Sequence, residues 1–185
     1  MTTAADPRPR RTDPERRDRI VDACLEVIAE SGVAGASARR IAAAADVPLG
    51  SVTYHFATMD ALLREAFTRF SETVSDRFVA RMAEAQTRDA AVTAVVELIE
   101  FDVLADRGEL VLTHELYTLA AHDPGYRSLT NAWMARSRAA LEAHFDAATA
   151  RILDALIEGL TIHRALDIEA PPVGTAADAV RRVTG

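Results

Sequence analysis

Residues 37–56 read SARRIAAAADVPLGSVTYHF, and the fold is decided there. Ser37 is an N-cap residue, because its side-chain oxygen can satisfy an orphan amide of the helix it opens, predicted over residues 38–45. Asp46-Val47-Pro48 breaks that helix, since proline has no N–H and restricts the residue before it. A second short helix is expected from about Leu49 to His55. Two short helices about four residues apart, with the alanines of 42–45 small enough for a close crossing, have helix-turn-helix spacing. The second helix presents Ser51, Thr53, Tyr54 and His55, hydrogen-bonding side chains suited to phosphates and base edges. Gly50 permits close backbone approach, and the helix N-terminus adds partial positive charge toward phosphate. The pattern by itself leaves a second reading open, a pair of short structural helices.

Outward from this stretch, the chain reads as helix throughout. Residues 1–12 form a Pro/Arg-rich arm expected to be flexible. Asp13-Pro14 is a helix start, and Ile20, Cys24, Val27 and Ile28 then recur at helical spacing up to Gly32, expected as a left-handed stop. Thr58 caps a long helix carrying Leu62, Phe67, Phe70, Val74, Phe78 and Met82, with a possible break near Ser71. After Thr87 a helix runs to about Ala105 with Val95, Ile99 and Val103 inward, closed by Arg107-Gly108. Further helices are expected over 109–121 and 126–144, separated by His122-Asp123-Pro124-Gly125. Asp146 caps the last long helix, to about Leu166. Pro171-Pro172 leads into a tail, 171–185, with a weak helix over 175–182.

Composition agrees. The chain is 49% hydrophobic but only 5% aromatic, and its Ala, Leu, Arg and Glu favour an all-α fold. All 21 basic residues are arginine, against 28 acidic ones. Residues 1–58 hold 8 Arg and 8 Asp/Glu, whereas 59–185 hold 13 Arg and 20 Asp/Glu, so the net charge of −7 lies wholly in the second part. A neutral front with a basic tip on an acidic body suits a DNA-contacting end on a body that stays off DNA, and argues against indiscriminate coating of nucleic acid. The single cysteine, Cys24, allows no internal disulfide and reads as a small core residue. No apolar leader and no spanning stretch is present, so the expectation is a cytoplasmic protein without a membrane partner.

Here the residues carry a family resemblance. Ile41-Ala42 with Ala45, then Val47, Gly50, Val52, Tyr54-His55-Phe56 and Leu62-Leu63, resemble in order and spacing the signature of TetR-type transcriptional regulators. Three positions depart from it: Thr53 replaces the usual first Tyr of the recognition helix, Met59 the usual Lys opening helix four, and Pro48 the usual small N-cap. The first two remove phosphate contacts common in the family. The resemblance implies a three-helix DNA-binding domain at 13–58 and a larger ligand-binding and dimerisation domain at 59–170. By it, Ser37 and Arg39 lie on phosphates, Leu49, Gly50, Ser51 and Thr53 face bases or backbone, and Tyr54 and His55 touch the DNA backbone. Arg39 and Arg40 point about 100° apart on a helix, so only one can face phosphate directly. The Arg-rich arm could enter a minor groove or simply solubilise.

The resemblance also places a homodimer interface on the last two long helices, with Leu153, Leu156, Ile157 and Leu160 as candidates on a wide apolar stripe. A small-molecule effector is expected among the middle helices, near Phe67, Phe101, His114, Tyr117, Trp133 and Met134, though each aromatic suits plain core as well. The partners implied are a double-stranded DNA operator, a second copy and an unidentified effector, with no cofactor and no metal. An enzyme is not expected: no nucleophile stands with a base, and His114-Glu115 fails as a zinc-protease motif because Thr118 occupies the second histidine position. A helical protein-interaction module without DNA binding remains the alternative function.

Overall fold

A computed structural model describes residues 15–102, 106–169 and 171–185. The arm at 1–12, the Asp13-Pro14 start and the Val103–Ala105 end of the middle helix lie outside these. The described residues are helical, with no strand. In chain order they form α1 (Arg16–Gly35), α2 (Ala38–Ala44), α3 (Leu49–His55), α4 (Met59–Glu84), α5 (Arg88–Glu97), a π-helical turn (Leu98–Asp102), α6 (Arg107–His122), α7 (Pro124–Glu142), α8 (Ala147–Leu166) and α9 (Thr175–Thr184). None is long and apolar enough to cross a membrane.

Side-chain caps set most of the starts, each satisfying amides that the first turn leaves unpaired. Thr58 Oγ1 accepts from the Ala61 amide at 3.0 Å, and Thr87 Oγ1 from Ala90 at 3.1 Å. Asp146 Oδ1 accepts from Ala148 and Thr149, both at 3.0 Å. Asp106 Oδ1 accepts from the Glu109 amide at 2.8 Å. Arg107-Gly108 therefore opens α6 rather than closing the preceding helix. Asp123 likewise caps α7, which starts at Pro124 rather than Tyr126. No break occurs near Ser71: α4 is continuous, and the Ser71 and Ser75 hydroxyls donate back to carbonyls of the preceding turn.

At Gly32 the helix does stop, but not in the left-handed helical conformation. Its φ of 68° comes with a ψ of 172°, a region open essentially only to glycine. The last turn of α1 resumes beyond it. Asp46 takes the positive φ, 51°, that turns α2 into α3, a conformation short polar side chains tolerate.

Two cores divide the protein. The first joins Ile20, Cys24 and Ile28 of α1, Ile41 of α2, Val52 of α3, Leu62 and Phe67 of α4, Leu116 of α6 and Tyr126 of α7. It crosses position 58: α1, against which the helix-turn-helix packs, lies on α6, and α4 lies on α7. Burial there pushes the Cys24 thiol up to about 12, leaving it an inert core group. The second core joins Phe78 and Met82 of α4, Val95 of α5, Leu98, Leu141 of α7, Leu153 of α8 and Val180 of α9. The stretch expected as a tail thus supplies a packed helix: Val180 and Ala176 are buried against α5 and α8.

Candidate nucleic-acid interface and ligand cavity

The helix-turn-helix presents one open face. Ile41, Ala42, Ala45, Val52 and Phe56 are buried and fix α2 and α3 against α1. The opposite side of α3 carries Leu49, Gly50, Thr53 and Tyr54, all exposed, with Ser51 and His55 half-buried. Tyr54 is 84% exposed and its ring meets the His55 ring edge-on at 5.1 Å. A Cβ added at Gly50 would have nothing within 4 Å, so the start of α3 can approach a surface closely. The Thr53 hydroxyl donates to the Gly50 carbonyl at 3.2 Å.

Ser37 caps α2, accepting from the Arg40 amide at 3.4 Å. The two neighbouring arginines have different duties. The Arg40 guanidinium donates to Ser31 Oγ at 2.8 Å and to the Gly35 carbonyl at 2.9 Å, holding the turn before α2. Arg39 is exposed on the other side. Behind this face, Arg17 pairs with Glu65 and its guanidinium lies 4.9 Å from the Phe56 ring, and Arg69 pairs with Asp18 and with Asp22 at 2.7 Å. These contacts tie α1 to α4, so the reading unit and α4 form one piece.

A cavity opens in the body where the two cores meet. Val74, Arg77 and Phe78 line it from α4, and Leu98 and Asp102 from the π-helical turn. Glu109, Thr113 and Tyr117 contribute from α6, and Trp133, Met134 and Ser137 from α7. From α8 come Asp154, Ile157, Glu158, Thr161 and Ile162. The Tyr117 and Trp133 rings make a continuous aromatic wall, with centroids 6.2 Å apart. Its carboxylates are held in different ways. Buried Glu109 accepts from Arg77, and Asp154 accepts from Arg138 at 3.1 Å. Glu158 lies beside the Tyr117 hydroxyl. Burial raises the pKa of all three carboxyls above the ordinary carboxylate range, against the lowering effect of these partners.

Of the six effector candidates, Tyr117, Trp133 and Met134 line this cavity and three do not. Phe67 is fully buried in the first core, edge-on to Tyr126. Phe101 is 65% exposed on the π-helical turn. His114, one turn before Thr118, is bonded through Nδ1 to the Leu110 carbonyl at 2.8 Å and is not part of the lining. Two of the four dimer candidates also face inward: Leu153 is fully buried in the second core, and Ile157 lines the cavity. Leu156 and Leu160 are half-exposed, and Ile152, on the same apolar stripe, is 53% exposed beside them. The acidic lining was also missed. Its one signal was the acidic excess of the body, which does not say which acids turn inward. Among the described residues no group of three or more His, Cys, Asp or Glu side chains is placed to hold a metal ion.

Known proteins fit this arrangement. The family description "Bacterial regulatory proteins, tetR family" matches residues 20–66, and "Tetracyclin repressor-like, C-terminal domain" matches 86–185. The HTH-type transcriptional regulator PksA of Bacillus subtilis (strain 168) is 30% identical over 191 residues, covering 95% of this chain and 89% of its own. A crystal structure described as a candidate transcriptional regulator, SCO7518 of Streptomyces coelicolor A3(2), superposes with a TM-score of 0.86 at 52% identity, covering 92% of this chain and 99% of that one. The multidrug binding protein EbrR complexed with ethidium superposes with a TM-score of 0.77 at 35% identity over 92% and 99% of the two chains. EbrR structures with proflavin and with malachite green are similar too. With both parts of the chain matched and a relative aligned along almost all of it, this protein belongs to the TetR family of bacterial regulatory proteins.

Proposed function

We propose that this TetR-family transcriptional regulator is a ligand-responsive repressor. It binds a palindromic operator as a homodimer and is released by a small molecule held in the body cavity. The observation that carries this reading is the position of the cavity at the seam of the two cores. Val74 and Trp133 pack with the core that holds the helix-turn-helix, whereas Phe78, Leu98 and Ile157 belong to the other. A ligand wedged between them acts on α4 and α7, and the first core transmits any shift rigidly to α3. Release follows if the ligand binds the DNA-incompetent arrangement better.

On DNA, Leu49, Gly50, Ser51 and Thr53 face the groove, while Tyr54, His55, Ser37 and Arg39 lie toward phosphates. Two copies are needed because successive major-groove half-sites stand about 34 Å apart. Ile152, Leu156 and Leu160 of α8, left partly uncovered within one protomer, are the apolar residues available for that pairing. The dyes bound by EbrR support a cavity of this kind as the effector site.

The test is capture of genomic DNA by the purified full-length protein, followed by footprinting at moderate salt. A protected palindrome that is lost on adding ethidium is the expected result. No protected palindrome would leave the helical interaction module as the better reading.

A further inference from the structure

The cavity's polar groups are unequal, and the inequality points to a ligand. Glu109 is held by Arg77 and Asp154 by Arg138. Glu158 is half-buried and faces no arginine among the described residues. The groups around it are the Tyr117 hydroxyl, the Asp154 carboxylate and His114. The His114 ring is itself engaged through Nδ1 with the Leu110 carbonyl. Asp102 adds a further carboxylate, exposed at the π-helical turn. After both arginines are counted, the lining keeps two negative charges in excess.

Thr113 supplies an independent sign. Helical threonines in this protein return their hydroxyls to the preceding turn: Thr68 to the Arg64 carbonyl, Thr118 to that of His114 and Thr161 to that of Ile157. Thr113 is 4% exposed, lines the cavity, and its Oγ1 has no partner. A buried hydroxyl left unpaired costs stability unless something arrives to pair with it.

We propose that the cavity selects a flat aromatic cation, with Glu158 as its counter-charge and the Thr113 hydroxyl as its polar contact. The proposal rests on the reading of this cavity as the effector site. The Tyr117–Trp133 wall supplies aromatic faces, which attract a cation as well as an apolar ring. Arg77 and Arg138 neutralise the two carboxylates they hold, so those cannot serve as the counter-charge. An anion would meet the excess negative charge, and a neutral ring would leave Glu158 desolvated without compensation.

The experiment is calorimetric titration of the full-length protein at about pH 8 with ethidium, a fixed cation, and with phenanthridine, its uncharged ring system. The wild type is expected to prefer ethidium by about tenfold or more. Glu158→Gln should lose about tenfold in ethidium affinity while phenanthridine is unmoved, which also reports that the cavity is still formed. Thr113→Val should cost ethidium about threefold. Equal affinity of the wild type for the two probes, or full ethidium affinity in Glu158→Gln, would overturn the proposal and leave the effector cavity standing. Binding of neither probe to the wild type would overturn the effector reading and this proposal together.

Discussion

The Tyr126 hydroxyl donates to Asp60 Oδ1 at 3.0 Å, joining the first turn of α7 to the first turn of α4. Arg64 completes the joint. It donates to Asp60 Oδ2 and to Asp123 Oδ2, each at 2.7 Å, and its guanidinium lies 4.3 Å from the Tyr126 ring centre. The phenol is held protonated by burial and by the Asp60 carboxylate, which raise its pKa. Asp123, which also caps α7, is held below the ordinary carboxylate range by Arg64. Body and reading unit thus meet in one hydrogen-bonded cluster, seven residues along α7 from the cavity's first lining residue on that helix, Trp133.

Tyr126→Phe removes that one bond and keeps the ring. It should lower stability by about 1 kcal/mol, read as a shift of the urea midpoint. Its larger effect should be on coupling: ethidium should shift operator affinity less than in the wild type. An unchanged ratio of operator affinities with and without ethidium would show that the signal passes elsewhere, through the α1–α6 packing.

Two glycines should respond oppositely to alanine. At Gly32 the backbone is in glycine-only territory, and a Cβ would meet Glu115 Oε1 on α6. Gly32→Ala should cost roughly 1–3 kcal/mol in denaturant unfolding. Gly50 is helical with open space around it. Gly50→Ala should leave stability equal or higher by up to about 1 kcal/mol, yet weaken operator binding by filling the space that DNA approaches. A Gly50→Ala protein with undiminished affinity would remove Gly50 from the contact surface.

On α3 and α2, three single changes should separate by kind. Tyr54→Ala should weaken binding to all sequences by a similar factor, about five- to tenfold, because a phosphate contact carries no sequence information. Ser51→Ala should instead change base preference. Arg39→Ala should reduce the slope of log affinity against log salt by about 1, whereas Arg40→Ala should chiefly destabilise the turn that it holds. Electrophoretic mobility shifts at several salt concentrations read all of these.

The reading unit was legible in sequence because its signals are local. Ser37 and Thr58 act within one turn, and the buried Ile41, Val52 and Phe56 lie within sixteen residues of one another. The cavity was not legible, because it draws a few side chains from each of four helices and a π-helical turn. Aromatic identity cannot tell Trp133, on the cavity, from Phe67, stacked on Tyr126 in the core. Stripe counting failed on α8 for a related reason. That helix is apolar on more than one side, and periodicity does not say that Leu153 turns to α4 and α9's core while Ile152 turns out.

That division on α8 predicts contrasting variants. Leu153 is fully buried, so Leu153→Ala should cost about 2–5 kcal/mol of stability. Ile152 is 53% exposed, so Ile152→Glu should leave the protomer folded and move the protein from dimer toward monomer in sedimentation velocity. A wild-type protein that sediments as a monomer at every concentration would remove the dimer from the proposed function.

Glu158 gives the last prediction, on stability without ligand. Burial raises its pKa above the ordinary value of 4.5, opposed by the neighbouring Tyr117 hydroxyl and His114 and reinforced by Asp154. The unfolded chain therefore releases this proton at lower pH than the folded protein does. Across that interval the folded state holds more protons, so stability falls as pH rises, and above the folded pKa the full cost of a half-buried carboxylate is present. Glu158→Gln removes the cost. The variant should melt at higher temperature than the wild type at neutral pH, and the difference should shrink as pH falls toward and below 4.5. Saturating ethidium should reverse the order at neutral pH, because the cation then stabilises the wild type more than the variant. A variant that melts lower than the wild type at neutral pH would mean that the favourable contact of Glu158 with the Tyr117 hydroxyl outweighs the burial of the charge.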